Sequence, residues 1–280
     1  MLILDSEYIC KLIKPRPADS HKGSFGHALL VAGSKGMAGA AVLAAKACLR
    51  SGVGLATLHS TKSNRTILQT AVPEVMFSSD NGNDCISKIY LNKKYNAAAI
   101  GPGIGTNEKT STALQDFFTE IKIPCVIDAD ALNIISENKI LLEKIPENSI
   151  LTPHHKEFER LFGKTFSRDE QITLAVKNAI KYRLNIILKG HRTLIVSSEG
   201  EISENTTGNS GMATGGAGDV LTGFIAGLLA QHYQPLHAAQ TSVFLHGLAA
   251  DLALEQQSEE SLTASDIIEN FGKAFQRVKN

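Results

Sequence analysis

The chain has 280 residues, 43% of them hydrophobic, with 28 basic and 28 acidic side chains and a formal net charge of zero. This excludes a disordered composition, and no global basic field points to nucleic acid or an anionic membrane. Cys10, Cys48, Cys85 and Cys125 are scattered, with no C-x-x-C pair and no matching histidine cluster, which argues against a disulfide framework or a structural zinc site. The opening MLILDSEYICKLIKPRP lacks the pattern of a signal peptide. No run reaches the roughly 18 apolar residues needed to span a bilayer, so a cytoplasmic protein is expected.

HALLVAG, from His27, is a short apolar run closed by Gly33, as in a buried parallel strand. MAGAAVLAAKACLRSGVG follows, alanine-rich and closed by Gly52 and Gly54, and reads as a helix that lies close to a sheet. LATLH, from Leu55, completes a strand–helix–strand unit. A strand ending at Ile100 enters the loop GPGIGT. A helix over 110–119 leads to a strand ending near Asp128. ENSILTPHHKEFERLFG supplies a strand, a loop over 152–155 and a helix, and another helix covers 170–183. NIILKG and TLIVSS are strands, and Glu199-Gly200 turns into a last strand near Ile202, so late antiparallel pairing is expected. Helices close the chain near 220–231, 235–254 and 264–278. The alternation predicts an α/β fold with a mostly parallel central sheet covered by helices on both faces. No break divides it, so residues 1–280 read as a single domain. Ligands in such sheets bind beyond the carboxyl ends of the strands, where the glycine-rich loops fall.

There is no G-x-x-x-x-G-K-[ST], no G-x-G-x-x-G, no H-E-x-x-H and no G-x-S-x-G. The strongest signal is ATGGAGDVLTGFIAGLLAQ, from Ala213. Gly215, Gly216 and Gly218 surround a helix start, where unpaired amides and the helix dipole favour an anion and glycine lets it approach. Asp219 then has two readings. It caps the helix, or it lies beside a phosphate and takes a proton from a hydroxyl nucleophile.

GGAGD before an apolar helix resembles the anion-hole motif of the ribokinase-like superfamily, in which the aspartate is the catalytic base. HKGSFGHALLVAGS, GPGIGT, VIDADAL, LTPHHKEFERL, ILKGHRT and NSGMATGGAGDVLTG, in this order, narrow the resemblance to the ADP- or ATP-dependent NAD(P)H-hydrate dehydratases. It extends from His21 to Gln231. The resemblance implies cofactor repair. The C6 hydroxyl of the S-epimer of hydrated NADH or NADPH is phosphorylated, with ADP the preferred donor, and phosphate then leaves, giving NADH or NADPH, AMP and phosphate. Asp219 would be the base, and the amides of Gly215, Gly216, Ala217 and Gly218 would hold the developing charge. Mg2+ would bridge the nucleotide phosphates.

The resemblance assigns the nucleotide to Lys189, Gly190, His191, Arg192, Thr193 and Gly218; the plain alternative for this segment is a strand end and turn. It assigns the hydrated dinucleotide to Ala40, Gly103, His154 and Asp219, with Asn209 and Thr214 as weaker contacts. Ala40 reads equally as helix–sheet packing. Relatives often carry Pro-Gly where this chain has His155-Lys156, and Pro where it has the alanine after Ala40. Asp128 and Glu157 are candidate metal groups, acting through water, and Asp128, Asp130 and Asn133 read equally as helix caps. Only about 20 residues precede HKGSFGH, so a separate upstream epimerase is expected for the R-epimer. A homotetramer is expected, with the alanine-rich helices suited to packing between copies. A small-molecule kinase of the same fold, or a non-catalytic nucleotide-binding module, are the alternatives.

Overall fold

The computed structural model describes residues 1–91 and 94–280. Short apolar runs ended by glycine or polar residues become strands: β1 (Leu2–Ile3), β2 (His27–Val31), β3 (Leu55–Ser60), β4 (Met76–Ser79), β5 (Ala97–Ile100), β6 (Cys125–Ile127), β7 (Ile150–Leu151), β8 (Asn185–Leu188), β9 (Leu194–Val196) and β10 (Ile202–Glu204). The helices are α1 (Ser6–Leu12), α2 (Ala38–Arg50), α3 (Arg65–Ala71), α4 (Glu108–Glu120), α5 (Ala129–Glu137), α6 (His155–Phe162), α7 (Arg168–Tyr182), α8 (Ala217–Ala230), α9 (Pro235–Ala253) and α10 (Ala264–Lys279). The sequence expectations did not include β1, α1, α3 or β4, and reached α5 only as the helix that Asp128 and Asp130 could cap.

One sheet joins the strands in the order β1-β10-β9-β8-β7-β6-β5-β2-β3-β4. Pairing is parallel from β4 across to β8 and between β1 and β10. β9 is antiparallel to both β8 and β10, so the expected antiparallel hairpin at Glu199 is preceded by a second one at the β8–β9 turn. Alternate residues of β2 divide the core: Ala28 and Leu30 face α2, α8, α9 and α10, whereas Leu29 and Val31 face α4 and α5. From β2 the chain proceeds outward to β3 and β4, then returns to place β5 on the other side of β2. The strand order therefore reverses between β2 and β5, the place at the carboxyl edge where open α/β sheets hold their ligands.

α8 lies close to α2 because glycine lets it. A Cβ on Gly223 would lie 1.9 Å from the Ala44 carbonyl oxygen. Ala41, Ala44, Ala45 and Cys48 of α2 are buried in the same core as Val220, Phe224 and Leu228 of α8. The alanine-rich face of α2 is thus used within the chain. All four cysteines are free, and burial pushes the Cys48 thiol up to about 12. Among the described residues, no helix is long and apolar enough to cross a membrane.

Candidate active site

The carboxyl ends of β5, β6, β7 and β8 deliver Gly103, Asp128, His154 and Lys189 to one edge, and the N-terminus of α8 meets them there. Gly216 takes φ +90° as the residue before α8, a conformation glycine adopts without a Cβ penalty. The first helical hydrogen bond runs from the Val220 amide to the Gly216 carbonyl at 3.0 Å. The amides of Ala217, Gly218 and Asp219 lie ahead of it, in the turn where helix donors lack internal acceptors. α8 starts at Ala217, so Asp219 is inside its first turn.

Three features converge on that turn. Lys189 donates from Nζ to Asp128 Oδ1 at 2.8 Å, and Thr222 Oγ1 donates to Asp128 Oδ2 at 2.8 Å. A Cβ built on Gly218 would lie 3.5 Å from Lys189 Nζ and 3.7 Å from Asp128 Oδ2. Asp130 accepts from the Gly105 amide at 2.8 Å, which ties the GPGIGT loop to the same place. Ala129, between the two aspartates, is a non-glycine residue at φ +48°, the kind of strained backbone that collects at functional sites.

The electrostatics follow from this crowding. Burial raises the pKa of Asp219, Asp128 and Asp130 raise it further, and Lys189 opposes them; it stands at about 6. Burial alone would lower the pKa of Lys189, but Asp128, Glu157 and Asp219 outweigh it and raise it. Asp219 is thus a more basic carboxylate than usual, while Lys189 stays an ammonium. For a reaction that needs Asp219 ionised, kcat/KM is expected to be flat above pH 6 and to fall about tenfold per pH unit below it. A pH–rate profile checks this, and an acid limb near pH 4 contradicts it.

Lys189, Gly190, His191, Arg192 and Thr193 form the β8–β9 turn, with Arg192 at φ +54° and Thr193 Oγ1 donating to the Gly190 carbonyl at 3.0 Å. The same five residues, with Gly218, Asn209 and His246, line a cleft of about 470 Å³. The segment is a turn, as its plain reading has it, and it also walls a cavity that ends at the α8 turn. Asn209 lies in this cleft with residues 189–193, and Ala40 and Gly103 are not among its lining residues. The Asn209 side chain accepts from the Gly211 amide at 3.1 Å and donates to Asp251 at 2.9 Å.

Ala40 and Gly103 do come together. A Cβ on Gly103, which is at φ +60°, would lie 3.1 Å from the Ala40 Cβ. They sit on α2 and in the GPGIGT loop and pack closely against each other, with Met37 also 2.9 Å from the same Cβ position. Thr214 is half-buried just before this turn.

His154 is the N-cap of α6: its Nδ1 accepts from the Lys156 amide at 3.1 Å and the Glu157 amide at 3.2 Å. Glu157 is buried, and its Oε2 accepts from the His154 amide at 2.8 Å. A bridge between His154 and Lys189 extends the β7–β8 register and brings this cap beside the lysine. His155 turns elsewhere, toward Glu159 at 3.7 Å and Gln171 at 3.3 Å, so the two histidines are distinct in role. Asn133 accepts from Arg160 at 2.7 Å and is a helix-to-helix tie.

Asp128 and Glu157, expected to meet a metal through water, are both engaged by protein groups. Both Asp128 oxygens are engaged by Lys189 and Thr222, and Glu157 is engaged by His154 and lies 4.0 Å from Lys189 Nζ. Among the described residues, no group of three or more His, Cys, Asp or Glu side chains is placed to hold a metal ion. A cation bound directly to Asp128 would have to displace the ammonium group, so the donor set does not fit a direct Mg2+ site.

Two residues escaped sequence reasoning. Thr222 is a hydroxyl in the apolar stretch of α8 that follows Asp219, a local signal that could have marked it. His246, on α9, lines the cleft, and burial lowers its pKa to about 4, so it is neutral at pH 7. Its helix is buried almost all round, which hides such a residue from periodicity.

The sequence model of the NAD(P)H-hydrate dehydratase family matches residues 28–273. The chain is 36% identical over 264 residues to a bifunctional NAD(P)H-hydrate repair enzyme of Moorella thermoacetica, covering 91% of this chain and 50% of that protein. It thus spans about half the length of the bifunctional relatives it matches. It is 35% identical over 275 residues to the ADP-dependent (S)-NAD(P)H-hydrate dehydratase of Bacillus subtilis, covering 96% and 97% of the two chains. The crystal structure of the Bacillus subtilis ADP/ATP-dependent NAD(P)H-hydrate dehydratase, co-crystallised with ATP/Mg2+, superposes with a TM-score of 0.87 at 32% identity, covering 99% and 98%. A hydroxyethylthiazole kinase of Pyrococcus horikoshii, at 13% identity and a TM-score of 0.60, shares the fold alone.

Proposed function

The chain belongs to the NAD(P)H-hydrate dehydratase family, and from that premise we propose that it dehydrates the S-epimer of hydrated NADH or NADPH at the expense of ADP. The observation that carries this reading is the first turn of α8, where a carboxylate with a pKa of about 6 lies among free helix amides and within the field of Lys189. A cap needs no raised basicity. A base that must deprotonate a poorly acidic hydroxyl gains from it.

Asp219 takes the C6 hydroxyl proton as the oxygen attacks the β-phosphorus of ADP. The bond to AMP breaks, and the amides of Gly215, Gly216, Ala217 and Gly218, with the Lys189 ammonium, stabilise the transferred charge. The ring-nitrogen lone pair then expels phosphate from C6, C5 loses a proton and the double bond returns. The cleft lined by residues 189–193, Gly218 and His246 takes the nucleotide. The carboxyl edge at Ala40 and Gly103 takes the hydrated nicotinamide, with Asp130 and Gly105 linking the two regions. His154, fixed by its capping bonds and with Nε2 3.4 Å from Glu157 Oε1, is assigned to the dinucleotide side. A Mg2+ ion accompanying the nucleotide would neutralise phosphate charge, and Asp128 and Glu157, committed to Lys189, Thr222 and His154, would not be its direct ligands.

This reading treats residues 1–280 as one catalytic domain and requires an epimerase elsewhere to supply the S-epimer; the greater length of the bifunctional relatives supports such a pairing. Incubation with hydrated NADH and ADP is expected to restore NADH absorbance with one AMP and one phosphate per turnover. A stable phosphoester accumulating instead identifies a small-molecule kinase, and binding without turnover a nucleotide-binding module.

A further inference from the structure

We propose that Asp128 is a positioning residue for Lys189: together with Thr222 it holds the ammonium group against the first turn of α8, where the transferred phosphoryl group is stabilised. The inference rests on the phosphoryl-transfer reading above and names a role for Asp128 other than metal binding.

Asp128 is 1% exposed, and its two oxygens are each committed at 2.8 Å, one to Lys189 and one to Thr222. Its backbone is fixed as firmly. The Asp128 amide donates to the Ile100 carbonyl at 3.1 Å, Gly101 packs against the Asp128 carbonyl, and Ala129 turns the chain away at φ +48°. A lysine is a charge on a long flexible stem, and a catalytic charge is effective only when its supporting contacts fix it. Here the buried carboxylate is that support, and Thr222 fixes the carboxylate from inside α8. Because Thr222 and Gly218 belong to the same helix, the anion-binding turn and the cation beside it are set by one rigid element. Glu157, 4.0 Å from Nζ, supplies a second and weaker anchor.

The test is a kcat cycle on the intact enzyme with ADP and hydrated NADH. Asp128→Asn is expected to lower kcat about tenfold or more, since small misplacements of a catalytic group have effects of this size, with KM for ADP moved less than about threefold. Lys189→Met lowers kcat as well. The double variant is expected to be no slower than Lys189→Met alone, because Asp128 acts through the lysine. It should also melt above Lys189→Met, which leaves a buried carboxylate without its cation. Effects on kcat that multiply overturn the proposal, since Asp128 then acts independently, as a metal ligand would. If Lys189→Met does not fold, Thr222 decides. Thr222→Val is expected to lower kcat severalfold and Thr222→Ser to restore it, and a Val variant as fast as wild type overturns the proposal. A wild-type enzyme that restores no NADH fails the functional reading itself; a working wild type with multiplicative effects fails only this inference.

Discussion

Asp219→Asn is expected to lower turnover at least about a thousandfold while leaving ADP binding largely intact. The amide keeps the shape of the carboxylate and loses the ability to take a proton. The same change is expected to stabilise the fold. The pKa of Asp219 is raised from 3.8 to about 6 in the folded chain, because burial and the neighbouring Asp128 and Asp130 disfavour its ionised form. A carboxyl with a raised pKa binds its proton more tightly in the folded state than in the unfolded one. Folding therefore bears the cost of the ionised group fully above pH 6, and the cost disappears as the pH falls through 6 toward 4. Melting curves should show Asp219→Asn above wild type at pH 8, with the two converging near pH 4. A gain in stability with a loss of activity is the mark of a charge held at a site for chemistry rather than for capping. If Asp219 only capped α8, its removal would lower the melting temperature and spare turnover.

Gly101→Ala is expected to give the largest loss of stability near the site. Gly101 sits at φ +135°, and an added Cβ would lie 1.8 Å from the Asp128 carbonyl oxygen and 2.7 Å from its carbon. Those are backbone atoms, so the ends of β5 and β6 must separate. A loss of at least about 3 kcal/mol is expected, with kcat falling because Asp128 moves with its strand. Gly36→Ala is the control. Gly36 is at φ +84° with nothing within 4 Å of the new Cβ, so only backbone strain of about 1 kcal/mol applies. Equal melting temperatures for the two variants would show that the close approach at Asp128 does not matter.

Much of the fold was legible because its signals are local. HALLVAG, LATLH and NIILKG are apolar runs with clear stops, and each forms a strand. β4 is MFSS with no fully buried residue, and β1 has two residues, so neither produces a run. α5 begins in the left-handed turn at Ala129, which masks its start. The glycine-rich turn that opens α8 was legible for the same local reason: three glycines, an acid and an apolar helix are adjacent in sequence. The partners of Asp128 were not. Lys189 is 61 residues away and Thr222 is 94 away, and only the register from β6 through β7 to β8, with α8 seated on α2, brings them together. Read alone, Asp128 looks like a metal group or a cap; read with its neighbours, it is half of an ion pair. Asn209 illustrates the same limit. It stands in a polar stretch leading to the helix, yet its side chain is committed to Asp251 on α9.

The central claim is that phosphate is a leaving group, made on the substrate and then expelled. The direct measurement uses hydrated NADH carrying oxygen-18 in its C6 hydroxyl, with unlabelled ADP, and mass analysis of the phosphate released. If the hydroxyl oxygen attacks phosphorus and departs with it, every phosphate carries one oxygen-18 from the substrate. Phosphate without the label, and oxygen-18 in the water instead, would mean that hydroxide leaves directly and that ADP is cleaved in a separate event.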